Sequence, residues 1–164
     1  IIPRFINIDV LSQEADIKCR VEELPFPDES VDFIYASHVL EHFGRHEVSF
    51  VLNEWHRVLS SKGVLRISVP DFGACVRHYT ETESISELLG LVCGGQKDEF
   101  DFHKIIFDYS SLKSQLEAAG FSSVMVWDWK SVSHSDIDDY SQAYLPHMNK
   151  KTGRLMSLNL QAIK

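Results

Sequence analysis

Short apolar runs alternate with polar breaks along the chain, and their spacing predicts an ordered series of strands and helices. Phe5-Ile6-Asn7-Ile8-Asp9-Val10 alternates and is rich in β-formers, so it predicts a strand ending at an acidic residue. Residues 17–21 predict a second, weaker strand. Two prolines in Leu24-Pro25-Phe26-Pro27-Asp28-Glu29-Ser30 exclude regular structure and predict a loop. The mostly apolar run 31–37 then predicts a strand covered on both faces. Val48, Val51, Leu52, Trp55, Val58 and Leu59 recur at helical spacing, which predicts a helix over 46–59, with Gly63 suited to a left-handed stop.

Residues 64–69 predict the next strand, stopped by Pro70-Asp71. Residues 74–90 read as helical up to the break at Cys93-Gly94-Gly95-Gln96. Ser110 can cap a helix that carries Leu112, Leu116 and Ala119 and stops at Gly120. Residues 124–129 predict a strand. So do residues 155–163, with Met156, Leu158, Leu160 and Ala162 on one face and Ser157, Asn159 and Gln161 on the other. The acidic stretch 131–144 between them reads as a solvated surface excursion. The order is that of one α/β domain over 1–164, without internal repeats.

Composition narrows the function classes. A 44% hydrophobic content over 164 residues is enough for one core. Sixteen basic against twenty-four acidic side chains give a net charge of −8, which disfavours nucleic-acid partners and leaves small molecules open. The apolar runs fall far short of the roughly 20 residues that span a bilayer, so no membrane partner is expected. Cys19, Cys75 and Cys93 are odd in number and form no CxxC, the pattern of reduced thiols in a cytoplasmic protein.

Two clusters could carry chemistry. His38-Val39-Leu40-Glu41-His42 matches the H-x-x-E-H pattern of inverted zinc peptidases, and His46 adds another imidazole four residues on. On one helix these three histidines would share a face and could hold zinc near Glu41. However, His38 directly follows a strand and should lie at a turn. A zinc hydrolase is therefore an alternative reading, and the leading one assigns no metal. Asp9, at a strand tip, is placed either to accept hydrogen bonds from a ribose diol or simply to close a turn.

The run from Glu22 to His42 resembles class I S-adenosylmethionine-dependent methyltransferases. In that family an "LPF-x-D-x-S-[FV]-D" loop leads into the fourth strand, which ends in an "LEH" turn. Here these read Leu24-Pro25-Phe26-Pro27-Asp28-Glu29-Ser30-Val31-Asp32 and Leu40-Glu41-His42. Glu54-Trp55-His56-Arg57-Val58-Leu59-Ser60-Ser61-Lys62-Gly63 is similar to the family's "E-x-x-R-V-L-[KR]-P-G-G" ending. Leu116-Glu117-Ala118-Ala119-Gly120-Phe121 is similar to its "L-x-x-A-G-F" segment.

The resemblance implies a Rossmann-like, doubly wound, mostly parallel sheet with an antiparallel last strand, in three α/β/α layers. It implies S-adenosylmethionine as cofactor, S-adenosylhomocysteine as product and a small-molecule acceptor. Asp9 would hold the cofactor ribose, Val21 and Glu22 would lie near adenine, and Ser37 and His38 would border the methionine part. His42 would shape the pocket. On the acceptor side, Asp71 follows a strand and His103 lies in a loop. His103 is the preferred proton acceptor because imidazole titrates near neutrality, its plainer role being capping or packing.

Two departures qualify this. Arg20 stands where the family often has an acidic residue. The glycine-rich first strand and loop, which let the backbone approach the cofactor, are not found, because no glycine precedes Gly44. The expectation is a domain short of that central strand and loop. Alternatively, the chain dimerises with a second copy or borrows a strand, no longer binds the cofactor, and serves as a non-catalytic binding or assembly module.

Overall fold

In the computed structural model, which describes residue 2 and residues 4–164, the apolar run Val31–Ser37 forms strand β1. Helix α1, Val48–Val58, carries the helical stripe. Its chain passes straight into strand β2, Leu59–Pro70, because Leu59 already has extended backbone (ψ 135°). The left-handed residue here is Lys62 (φ 68°), not Gly63. Gly63 is small for a different reason: a Cβ there would lie 2.8 Å from the Ser60 carbonyl oxygen.

The predicted helix 74–90 is divided into α2, Phe72–Thr82, and α3, Leu89–Cys93, by the left-handed turn at Glu83 (φ 51°). Helix α4 is Tyr109–Ala118, and its cap is Asp108 rather than Ser110. Asp108 accepts from the Ser111 N–H while Ser111 Oγ accepts from the Asp108 N–H, a reciprocal pair that Ser110 could not form. Strand β3 is Ser122–Val126; the two-residue strands β4 (Tyr144–Leu145) and β5 (Arg154–Leu155) pair as a ribbon; β6 is Ser157–Ile163.

The main sheet has the order β1-β2-β6-β3. β1 and β2 run parallel, and β6 is antiparallel to both β2 and β3, giving the expected mostly parallel sheet with an antiparallel last strand. One face carries the core. Leu65, Ile67 and Val69 of β2 pair with Ala162, Leu160 and Leu158 of β6, under Val51, Leu52, Trp55 and Val58 of α1 and Leu112 and Leu116 of α4.

The opposite face is polar and is covered by residues 127–143, not by long helices. Expected to be a solvated excursion, this stretch instead buries Ser141 and Gln142 at 2% exposure each. The cause is hydrogen-bond demand from buried polar groups. Ser68 Oγ donates to Asn159 Oδ1 (2.7 Å), Asn159 Nδ2 donates to the Ser141 carbonyl (3.0 Å), and Trp127 Nε1 donates to the Ile67 carbonyl (3.2 Å). The Arg66 guanidinium lies 5.1 Å from the ring centres of both Phe33 and Trp127.

His134 is buried in this layer, its ring 4.6 Å from Tyr35 and 5.9 Å from Phe5, with neither ring nitrogen hydrogen-bonded. Burial pulls its pKa below the ordinary imidazole value; Asp139 and Asp136 oppose this and Arg66 adds to it. A base whose pKa is lower folded than unfolded binds more protons when unfolded. Its contribution is therefore complete above about pH 6.5 and is lost as pH falls through the folded value. His134→Phe is expected to flatten the acid-side fall in the urea midpoint relative to the parent chain. An unchanged slope would show that the ring is protonated without penalty.

The predicted strands at 5–10 and 17–21 are not formed. They reduce to one parallel bridge, Ile8 to Ile17. Asn7 joins them through hydrogen bonds from its N–H and side-chain amide to Asp16 Oδ2 (2.8 and 3.1 Å). Alternation made them plausible strands, but a strand persists only with a neighbour. Among the described residues the second edge of β1 has no partner strand.

Candidate functional site

β1, β2 and β3 point their carboxyl ends at one edge of the sheet, and most of the sequence-predicted site residues gather there or along β1. Loops beyond that edge are where open α/β sheets bind ligands. Ser37 ends β1 with its hydroxyl buried and unpartnered. His38 follows at φ 52°, an uncommon backbone for a side-chain-bearing residue, and its N–H extends the ladder to the Ser68 carbonyl (2.8 Å). Asp71 ends β2 and faces Arg77 at 3.4 Å. It lines a second cavity of about 460 Å³ with Asp108, Ser157 and Asn159.

A larger groove of about 650 Å³ runs along the unpaired edge of β1. Asp9 and Val21 line it, together with Ile34, Ala36 and Val39. Asp9 Oδ1 accepts the Leu11 and Ser12 N–H groups (2.7 and 2.8 Å), so that oxygen closes a turn. Glu22 is paired with Arg20, which accounts for the departure at position 20. The Val21 carbonyl accepts from Trp55 Nε1 at 3.0 Å, fixing this rim to α1.

The Glu54-x-x-Arg57 spacing also has a structural purpose. Glu54 Oε1 accepts the Leu24 N–H (2.7 Å), and Arg57 bonds both oxygens of Glu54 (2.7 Å each). Arg57 further donates to the Phe26 carbonyl (3.0 Å) and to Asp28 (2.6 Å). One turn of α1 thereby holds the proline loop that feeds β1. The Arg57 hydrogen bonds keep the Glu54 carboxyl below its ordinary pKa.

The H-x-x-E-H segment is not one helix. Leu40–His42 is a single 3-10 turn after the bend at His38, and His46 lies beyond it, next to Arg45. The expected zinc set of His38, His42 and His46 on a shared helical face is therefore not assembled. Instead the turn meets the loop carrying His103. The Lys104 N–H donates to the Glu41 carbonyl (2.8 Å), the His103 N–H to the Cys93 carbonyl (3.1 Å), and the His42 and His103 rings lie 4.9 Å apart.

Gly94 makes this approach feasible. Its φ is +79°, and a Cβ there would lie 2.3 Å from the Asp101 carbonyl oxygen and 2.9 Å from the His103 nitrogen. Burial lowers the His103 pKa, opposed by the hydrogen bond to Leu91 and by Glu41. Glu41 is 1% exposed and neither of its carboxylate oxygens accepts a hydrogen bond. Sequence reasoning placed Glu41 only as a motif position; its burial depends on contacts made some 60 residues away.

Among the described residues the three cysteines are free, with the buried Cys75 thiol pushed up to about 11 by desolvation. No helix among them is long and apolar enough to cross a membrane.

Residues 6–67 match the family described as a methyltransferase domain. Among solved structures, an S-adenosylmethionine-dependent methyltransferase from Archaeoglobus fulgidus is similar with a TM-score of 0.57 and 16% identity, over 96% of this chain and 74% of that one. A second from Thermotoga maritima has a TM-score of 0.52 and 19% identity, over 90% of this chain and 63% of that one. The 1,6-didemethyltoxoflavin-N1-methyltransferase of Burkholderia thailandensis, with bound S-adenosylhomocysteine and 1,6-didemethyltoxoflavin, has a TM-score of 0.56 and 17% identity, over 96% and 59%. The chain thus spans less than two thirds of two of these three proteins. No curated protein sequence matches it.

Proposed function

On the premise that the chain has the class I S-adenosylmethionine-dependent methyltransferase fold, we propose that it binds S-adenosylmethionine along the open edge of β1 and transfers the methyl group to a small-molecule acceptor. The observation that carries this reading is the groove itself. It brings Asp9, Val21, Ala36 and Val39 to one cavity below the carboxyl tips, where Ser37 and His38 follow.

In this reading the second carboxylate oxygen of Asp9, which its turn does not use, takes the ribose hydroxyls. Val21 and Glu22 flank adenine, and the buried, unpartnered Ser37 hydroxyl and His38 border the methionine part. The cofactor supplies the reactive methyl group; the chain's residues orient it, exclude water and receive a proton. His103, with Nδ1 committed to the Leu91 carbonyl (2.9 Å), presents Nε2 to accept that proton from the acceptor. Asp71 lines the cavity at the next strand tip, and His42 closes the wall beside His103.

The free edge of β1 further supports pairing with an additional strand and a glycine turn, which would complete the cradle at the methionine end. A non-catalytic binding module, with that edge taken by a second copy, is the competing reading. Both are tested by calorimetry with S-adenosylhomocysteine on the protein as its gene encodes it. The expected result is micromolar binding that Asp9→Ala weakens at least about tenfold, the worth of a charge-assisted hydrogen bond. Absence of binding, with a dimer on size exclusion, supports the module instead.

A further inference from the structure

Glu41 creates a problem that the methyl-transfer reading does not solve. Its carboxylate is 1% exposed, and both oxygens lack hydrogen-bond donors. A buried charge without a partner is costly, and native proteins normally pair it or bind a cation there.

Three imidazoles lie around it. His103 Nδ1 faces the Leu91 carbonyl at 2.9 Å, and His42 Nδ1 faces the Phe102 carbonyl at 3.2 Å. A carbonyl only accepts, so each ring donates to it through Nδ1, and Nε2 is the nitrogen left to ligate a cation. His38 shows the mirror arrangement. Ser157 Oγ gives its proton to the Tyr140 carbonyl and can therefore only accept from His38 Nε2, 3.2 Å away. His38 Nδ1 therefore faces Glu41 Oε1 at 3.1 Å, while His103 Nε2 lies 3.9 Å from the same oxygen.

We infer that Glu41, His42 and His103 form a binding site for a first-row divalent cation of the zinc class, with His38 lying against Glu41 behind it. One ring nitrogen from each of the two histidines and a carboxylate oxygen lie within 4.8 Å of one another. Zinc bonds of about 2.0–2.2 Å put tetrahedral ligands roughly 3.4 Å apart, so contraction of up to about 1.4 Å by side-chain rotation closes the set. Two neutral imidazoles and one carboxylate suit zinc and its neighbours rather than calcium or magnesium, which favour all-oxygen shells. His103 already has its far nitrogen hydrogen-bonded to the Leu91 carbonyl, the outer-shell arrangement that orients metal-ligating histidines, and His42 Nδ1 bonds the Phe102 carbonyl. Three ligands leave at least one position for water or for an acceptor oxygen or nitrogen.

This site differs from the one expected from the H-x-x-E-H spacing. It uses the turn residues Glu41 and His42 but replaces His46 with His103, brought in by Gly94 and the loop after α3. What a bound ion would do rests on the methyl-transfer reading: it would occupy the His103 lone pair and polarise an acceptor held beside it. Binding of the ion does not rest on that reading.

The test is zinc calorimetry on chelator-treated protein, alongside separate calorimetry with S-adenosylhomocysteine. The expected result is one zinc per chain, with affinity reduced at least about tenfold by His42→Ala and by His103→Ala and unchanged by His46→Ala. Should either alanine variant fail to fold, Glu41→Gln serves, because zinc should raise the melting midpoint of the parent and not of this variant. Cobalt in place of zinc should show visible absorption from a four- or five-coordinate site. Lack of stoichiometric zinc overturns the inference, as does binding that His46→Ala abolishes or that survives all three ligand substitutions. S-adenosylhomocysteine binding without zinc binding would leave the methyltransferase reading intact and remove this one.

Discussion

Trp55→Ala is expected to lower the unfolding free energy by about 3–5 kcal/mol, the range for removing a buried aromatic side chain. Trp55 is 2% exposed and sits in the middle of the α1 stripe, against the face of the sheet that carries the core. It also holds the groove rim, since its indole N–H is the donor to the Val21 carbonyl at 3.0 Å. A domain of this size has only about 5–15 kcal/mol in total, so the loss is a large share of it. The measurement is urea unfolding of the variant beside Phe50→Ala, whose side chain lies on the same helix at 68% exposure and should cost little. Equal midpoints for the two variants would contradict the packing described. Trp55→Phe keeps most of the volume and isolates the hydrogen bond, about 1 kcal/mol.

In the second case, on the proposed methyl-transfer reading, His103→Ala in chelator-treated protein is expected to slow methyl transfer by about 10²–10⁴, the usual worth of a positioned general base. The ring is held from both sides, by the Leu91 carbonyl on Nδ1 and by the backbone tie of its own N–H to Cys93. Transfer of labelled methyl groups to an acceptor found by screening small molecules would measure it. S-adenosylhomocysteine affinity, followed in parallel, separates lost chemistry from lost folding. A rate within about threefold of the parent would remove His103 from the proton-transfer role. Gly94→Ala should reproduce part of the effect, since its Cβ has no room beside Asp101 and the His103 nitrogen.

Where burial and periodicity coincide, the elements were legible from the residues. The α1 stripe, β1, the middle of β2 and the alternating β6 lie where their apolar positions place them, because each has a buried face of its own. The readings that differ have local causes. At α4 the cap moves to Asp108 because only that residue forms the reciprocal pair with Ser111. At 74–90 an apolar helix pattern runs across a left-handed residue, Glu83, that is not a glycine. The segment at Phe5–Val10 shows the limit most clearly: alternation describes which face a strand would bury, not whether a neighbour exists to hydrogen-bond it.

The candidate site divides in the same way. The resemblance alone assigns Asp9 and Val21 to the cofactor; both line the groove along β1. The alternation of β6 placed Ser157 and Asn159 on its polar face, and they are buried because residues 127–143 fold back over them to satisfy their hydrogen bonds.

By itself the sequence determined the α/β order and the helix that carries the core, since these follow from local periodicity, while the direction of the last strand was implied by the family resemblance. Only the tertiary structure decided that Glu41 is a buried carboxylate facing His38 and His103, and that His46 takes no part. The contact between Glu41 and His103 joins residues about 60 positions apart, through a loop whose path depends on a left-handed glycine. Spacing along a chain specifies which side chains share one helix or strand. Which lone pairs meet across two loops depends on how the backbone between them is packed.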